Sequence, residues 1–425
     1  MPILGQEKED TTDEILREAK QVIETQFPGY WKPTEACLAT VAQLKIQGIS
    51  NCFLLIFIGS PGCRKTTMLS WFNKLTFGKQ ELSYQSDSFT PKAFVSNFAA
   101  VQKEKLKDID LLPRLKGKVF LTPDLTTLFN DPIDTVRSNF GNLTRILDGQ
   151  GFRTDTGVFG QRGYEGFEGS YVFHWLAGIA NVPHAVWALF GNMGPRTYYW
   201  QIPEKRNITV EQVTAHLRED FPTKSNLCRQ EVYKVVNHLW EQYPEPVVWE
   251  KNKDEEEAIT TIAKLALLLP KLRGTIEYQY ESEEDESLDN YTHPIIEEPW
   301  RCNQILYNIT RGRALVHGRT YITKADLPMM IKIALNSAMP ERVELLAMLI
   351  DRNGQANTKQ LCDYRNISPK IALRTMKSLR IVGLVDMINV DSGTKGQPMK
   401  AITLKDEHKW LLSEEFHKFS SNQYF

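Results

Sequence analysis

Apolar residues gather in three short runs, Cys52–Ile58, Val119–Leu121 and Tyr171–Ala180, set among stretches of helical periodicity. Such runs, bounded by turn residues, read as strands buried on both faces, the habit of a parallel sheet. From 48 to 205 they alternate with helical patterns, which predicts an α/β layer. Upstream, residues 11–47 carry a helical pattern broken at Pro28-Gly29 and Pro33, with a second helix over Thr34–Ile46, and residues 1–10 read as disordered. Downstream, 208–335 is mainly helical, with strand-like Val247-Val248-Trp249 and Thr275–Tyr280. The acidic run Glu281–Glu286 reads as a solvated loop.

The pattern changes once more after residue 340. Helices are predicted over Glu341–Asp351 and Thr358–Tyr364, separated by a turn at Asn353-Gly354. Ser368-Pro369 supplies an N-cap with proline at the first helical position, opening a third helix that Gly383 ends. Strands Leu384–Val390 and Met399–Leu404 flank a Gly-rich turn. Three helices and a hairpin in this order form a winged helix-turn-helix pattern. Four units follow: a helical segment 1–47, an α/β core 48–207, a helical lid with an acidic insertion 208–338, and the winged unit 339–425.

Composition narrows the options. The chain has 425 residues, 42% of them hydrophobic, enough for several cores. Its formal net charge of -1 gives no global pull toward DNA or membrane, so any nucleic-acid site is a local patch. The six cysteines show no metal-binding or disulfide spacing, which fits a reducing, cytoplasmic setting. The N-terminus is acidic and polar, unlike a signal peptide, and the longest apolar run is too short to span a bilayer.

Chemistry enters where the first strand ends. Gly59-Ser60-Pro61-Gly62-Cys63-Arg64-Lys65-Thr66-Thr67 joins that strand to a helical pattern, the arrangement of a phosphate-binding P-loop. Backbone N–H groups would face the phosphates of ATP, Lys65 would reach the β/γ oxygens, and Thr66 would ligate Mg²⁺. Arg64 stands where the pattern has glycine. It either adds a cation near the phosphates or impairs the loop. The second strand ends in Asp124, a Walker B position for metal or water, but without the usual second carboxylate. Asp124 could instead cap the helix after it, and Asp87, Asp131 and Asp148 are possible substitutes. Asn181 at the tip of the third strand can hold an attacking water. Arg196, between a short helix and a last strand, suits an arginine finger for a neighbour's nucleotide, or else an ordinary ion pair.

This strand order and these tip residues, over roughly residues 34–335, resemble the AAA+ ATPases. The segment from Arg301 to Ile309, running on to Thr323-Lys324-Ala325-Asp326, resembles the lid of the minichromosome-maintenance helicases and replication initiators. The resemblance implies a sensor role for Arg301 at the γ-phosphate, with Arg311 and Arg313 as alternatives. It also implies a homo-oligomeric ring or filament. The Gly-rich segment 147–166 reads as a hairpin or loop. By the same resemblance Arg153 and Arg162 would hold DNA phosphates, and Phe159 or Tyr164 would stack or wedge. A subunit-packing loop is the alternative. On the third helix of the last unit, Lys370, Arg374 and Lys377 share a face, and Lys395 and Lys400 lie on the wing, so DNA contact is expected there, with a protein partner as the other option. The whole reads as an ATP- and Mg²⁺-dependent DNA motor, loader or initiator. A nucleotide switch with weak hydrolysis is the alternative, favoured by Arg64 and the lone Asp124.

Overall fold

Helix α1 (Leu4–Gln26) places Leu16, Ala19 and Ile23 on one buried face, and Phe27 continues it. The computed structural model describes residues 4–96, 105–129, 131–156, 160–183, 186–187, 196–203, 208–277, 291–390, 398–414 and 416. Residues 4–10, expected to be disordered, lie in α1. The Pro28-Gly29 turn is held by the Glu24 carboxylate, which accepts from the Gly29 and Trp31 N–H groups at 2.7 and 3.0 Å. Helix α2 (Trp31–Ala42) begins three residues before the expected Thr34. Pro33 does not break it, because a first-turn residue has no intrahelical N–H bond to lose. Every residue of α2 except Lys32 is buried.

The chain then builds a five-stranded, wholly parallel sheet. Strand β1 (Leu54–Ile58) leads to helix α3 (Lys65–Ser70). Strands β2 (Ser83–Gln85) and β3 (Val119–Thr122) follow, then helices α4 (Thr126–Phe129) and α5 (Ile133–Ile146). An antiparallel hairpin, β4 (Gly151–Thr156) and β5 (Gly160–Glu165), precedes strands β6 (His174–Ile179) and β7 (Thr197–Gln201). The order across the sheet is β2-β3-β6-β1-β7. Side chains alternate between two cores. Leu55, Phe57, Leu121, Leu176 and Tyr198 face one, shared with α2 and the later helices. Leu54, Ile56, Phe120, Trp175 and Tyr199 face the other, closed by Val136, Phe140, Leu143 and Ile146 of α5.

One polar side chain is enclosed here. His174 is fully buried against the Phe53 ring, and neither ring nitrogen has a hydrogen-bond partner. Burial pushes its pKa down to about 3 from the ordinary 6.5. The folded state therefore refuses a proton that the unfolded chain accepts. Stability is lost as pH falls below 6.5 toward 3, at about 1.4 kcal/mol per pH unit. His174→Phe should remove about 2 kcal/mol of the stability loss between pH 6.5 and 4.5, read as unfolding free energy against pH. An unchanged acid limb would show that other groups set it.

Helices α6 (Val210–Leu217), α7 (Phe221–Gln242), α8 (Glu256–Arg273), α9 (Pro299–Val316) and α10 (Leu327–Asn336) complete the larger body. Helix α7 lies on α1, and α9 crosses α2. A Cβ on Gly312 would sit 2.1 Å from the Ala39 carbonyl oxygen, so only glycine lets these backbones approach so closely. Because the obstacle is backbone, Gly312→Ala must part the two helices. Overpacking of this kind costs about 2 kcal/mol, and the urea midpoint should fall accordingly. An unmoved midpoint would mean the crossing yields freely.

Helices α11 (Pro340–Asp351), α12 (Thr358–Arg365) and α13 (Pro369–Ile381) join a small antiparallel sheet of β8 (Gln355–Asn357), β9 (Val385–Val390) and β10 (Met399–Leu404), ordered β8-β10-β9. The three expected helices and both expected strands are present, and β8 is an addition. Among the described residues no helix is long and apolar enough to cross a membrane.

Candidate functional site

Three of the predicted groups meet at the carboxyl ends of the sheet strands, where open α/β sheets hold their ligands. The loop 59–67 leaves β1 there. Asn181 follows β6, whose Ile179 is the register partner of Ile58, and the Gly59 N–H donates to the Ile179 carbonyl at 3.3 Å. Asp124 follows β3 one strand farther over, and a Cβ on Gly178 of β6 would meet the Pro123 carbonyl oxygen at 2.5 Å. Asn181, Asp124, Ser60, Pro61, Gly62 and Thr66 are exposed. Close approach between β3 and β6 thus sets the two polar tips beside the loop.

Inside the loop, Lys65 is only 7% exposed. Its ammonium donates to the Gly59 and Ser60 carbonyls at 2.5 and 3.1 Å and lies 3.4 Å from Cys63 Sγ. Gly59 has no room for a side chain, since a Cβ would stand 2.8 Å from that sulfur. Gly62 takes φ +80°, a left-handed conformation natural to glycine. Helix α3 has six residues, so its macrodipole adds little, and the loop's own N–H groups and Lys65 supply most of the positive potential.

Arg64 accounts for its own oddity. It adopts φ 69°, ψ 19°, the left-handed region that glycine would occupy without cost. Its guanidinium lies over the rings of Phe27 and Phe221, 5.3 and 6.0 Å from their centroids, and 3.4 Å from His216 Nδ1. The side chain therefore ties the loop to α1, α6 and α7 and does not stand as a spare cation in the loop. Two effects of about 1 kcal/mol oppose each other: left-handed strain and the ring contacts. Arg64→Gly removes both and should leave stability near that of the parent. Arg64→Ala keeps the strain and loses the contacts, so it should be about 1 kcal/mol less stable than Arg64→Gly by urea denaturation. Equal midpoints would show that the strain is absent.

Asp124 is already employed. Its Oδ1 accepts from the Thr126 N–H at 2.8 Å and from the Thr126 hydroxyl, so it serves the start of α4. The capping alternative describes this geometry, and a metal would share the same carboxylate. Asp87 also lies past a strand's carboxyl end, bonded by the Gln85 amide at 2.8 Å.

Arg196 and Arg301 are elsewhere. Arg196 precedes β7 at the amino ends of the strands, and the Leu54 N–H donates to its carbonyl at 2.8 Å. The first half of α9 is held at this same edge, where Asn51 Nδ2 donates to Gln304 Oε1 at 2.6 Å. The five-residue β1 separates this edge from the loop by about 16 Å. Here Asp148 gathers three arginines. Arg196 donates through Nε and Nη2 at 3.0 and 2.6 Å, Arg301 through Nη1 at 2.8 Å, and Arg145 through Nη1 at 3.3 Å. The side chains of Arg196 and Asp148 are 12% and 11% exposed. Asp148 is thus no substitute carboxylate for the loop. Of the alternatives to Arg301, Arg313 is committed to Glu35 and Asp326 at 3.1 and 2.9 Å, and Arg311 is buried beside Tyr307.

The segment after α5 is a hairpin, as its glycines allowed. Gly163 needs its bare Cα, since a Cβ would come 2.2 Å from the Phe152 carbonyl oxygen. Arg153 pairs across the hairpin with Glu165 at 3.0 Å, and Arg162 lies on the opposite strand. Tyr164 is bound at the base through its hydroxyl to Asp110 at 2.8 Å, so it is not a free wedge. Phe159 lies outside the described residues. On α13, Lys370 and Arg374 are exposed and Lys377 is half-buried on the same face. Ala372, Thr375, Met376 and Leu379 face the core, while Ile371 is 50% exposed. Lys395 lies outside the described residues, and Lys400 is exposed on β10.

Sequence reasoning weighed Asp148 only as a substitute carboxylate for the loop and passed over Arg145, although the two are three residues apart. The other partners, Arg196 and Arg301, are far off in sequence, and no local spacing announces them. A scan against protein-family models and a search of curated proteins each gave no match to this chain.

Proposed function

We propose that the chain is an ATP-binding ATPase of the AAA+ type that works on DNA as an oligomer, with its C-terminal unit acting as a winged helix. The observation that carries this reading is the convergence of the Lys65 loop, Asn181 and Asp124 at one edge of a parallel sheet ordered β2-β3-β6-β1-β7. In that order the strand bearing Asn181 lies between the loop strand and the Asp124 strand.

Two features of the loop support a nucleoside triphosphate. Its two glycines occupy positions where a side chain would clash or be strained, and Lys65 is already drawn inward over it. Residues 59–67 would hold the phosphates, Thr66 and Asp124 would hold Mg²⁺, and Asn181 would position water. Bound Mg²⁺ supplies charge neutralisation at the phosphates. Arg196 and Arg301 share an edge remote from their own loop, so within this proposal they serve the nucleotide of a neighbouring copy. Their hold on Asp148 keeps both guanidiniums in one place until a stronger anion arrives. The exposed cations Lys370 and Arg374 on α13 and the hairpin's Arg153 and Arg162 supply the phosphate-contacting groups for DNA.

A second reading, a nucleotide switch with little turnover, is favoured by the single carboxylate Asp124 and its existing bonds to Thr126. ATP hydrolysis measured with and without single- and double-stranded DNA separates the two. Turnover that DNA stimulates, and that a mixture of Lys65→Ala and Arg196→Ala proteins partly restores, supports the oligomeric motor. ATP binding without turnover leaves the switch. Absence of ATP binding removes both.

A further inference from the structure

A recess of about 420 Å³ opens at the foot of the sheet, away from the Lys65 loop. Its walls come from α9 and from the segment after α7, including Trp249, Lys251, Asn303, Gln304, Tyr307 and Arg311. Its size falls in the usual range of small-molecule sites. No Asp or Glu is among the lining residues, while Arg311 and Lys251 both are.

Arg311 is the unusual member. It is 6% exposed, and its Nε–H has no hydrogen-bond partner. One Nη donates to Asn308 Oδ1. The guanidinium lies 4.7 Å from the Tyr307 ring centroid and 5.6 Å from that of Trp249. The nearest acid, Asp254, acts on its charge from beyond ion-pair distance. Asp254 accepts from Trp249 Nε1 at 3.0 Å, from the Tyr307 hydroxyl at 2.5 Å and from the Ile322 N–H at 2.8 Å. Among the described residues no carboxylate reaches ion-pair distance of Arg311, and burial lowers its pKa. A buried cation with no direct ion pair and an unbonded N–H is costly to a fold, and a charge at a distance offsets only part of that cost. Aromatic faces offset only part of that cost. Lys251 at the exposed rim adds a second positive charge. The exposed carboxamide of Asn303 offers a donor and an acceptor to the rest of a polar molecule, and Gln304, also exposed, keeps its remaining capacity beside bonds to Asn51 and Ser50.

We propose that this recess binds a small phosphate ester, its phosphate held by Arg311 and Lys251 and its polar body by the carboxamides of α9. The site is separate from the Lys65 loop and does not depend on what that loop binds. Because α9 also carries Arg301, occupancy would bear on the arginine cluster at Asp148 through one rigid helix.

The test uses the full chain carrying Lys65→Ala, which silences the loop. Inorganic phosphate, ribose 5-phosphate and adenosine 5′-monophosphate are titrated by calorimetry, beside a short single-stranded oligonucleotide without terminal phosphate. One equivalent of a phosphate ester should bind, raise the thermal midpoint and lose at least tenfold in affinity with Lys251→Glu. Arg311→Met should abolish binding. Lys251→Glu, at the exposed rim, keeps the test decisive if Arg311→Met fails to fold. Binding of none of the esters, affinity indifferent to Lys251→Glu, or displacement of the esters by the oligonucleotide overturns the proposal. The last outcome would assign the recess to a nucleic-acid backbone.

Discussion

If the loop holds ATP as proposed, Lys65→Ala should weaken ATP binding by about two orders of magnitude and abolish any turnover, while the protein stays folded. The size follows from the chemistry. Each hydrogen bond from a charged donor contributes about 1.5–3 kcal/mol, and 1.4 kcal/mol is one decade of affinity. The ammonium now rests on the Gly59 and Ser60 carbonyls, so engaging a phosphate exchanges those bonds for charge-assisted ones. Removing it strips the donor from the buried Gly59 carbonyl and the part-buried Ser60 carbonyl, which costs about 1–3 kcal/mol of stability. Fluorescent-nucleotide titration beside a urea melt reads both quantities. Undiminished binding with a normal melt would mean that the loop is a structural turn, and the functional reading built on it would fall.

Asp148→Ala should be the most damaging single change to stability described here, at about 3 kcal/mol, the scale for stripping one partner from a buried ion pair. One carboxylate holds Arg145, Arg196 and Arg301, so its removal leaves three like charges together. Arg145 is largely exposed and swings into water at little cost. Arg196, at 12% exposure, cannot, and it carries most of the penalty. The double variant Asp148→Ala, Arg196→Ala should therefore recover a large part of the loss. A double variant as unstable as the single one would show that the destabilisation comes from the chain turn at Gly149 and not from charge. That turn is tight, since a Cβ on Gly149 would meet the Ser50 carbonyl oxygen at 2.5 Å.

Strands β1, β3 and β6 were legible because each is buried on both faces and so written as an apolar run. Strand β2 was not, because Ser83-Tyr84-Gln85 lies at the sheet's edge and carries no such run. The loop, Asp124 and Asn181 were legible because each sits at a strand tip, a place that sequence order alone defines. The departure at Arg64 was visible as a missing glycine, but its side chain's route was not. Its partners Phe27, His216 and Phe221 come from helices on either side of the sheet in sequence. The ion-pair hub at Asp148 was illegible for the same reason, with partners 48 and 153 residues away. On α13 the helix was legible, and with it the shared face of Lys370, Arg374 and Lys377, because spacings of four and three fix one face of a helix.

The pairing of α1 and α2 with elements that come far later sets an order of events during synthesis. Thr12 meets His238 across 226 residues, and Glu35 meets His317 across 282. While a ribosome is still adding the sheet, much of the apolar face of α2 awaits α7 and α9 to cover it. Contacts of such long separation close slowly, and uncovered apolar helices invite association between nascent chains. Helices α1 and α2 are made before the elements they pack on and settle late, so yield of folded protein should depend more on the pace of translation and on holding chaperones than on equilibrium stability.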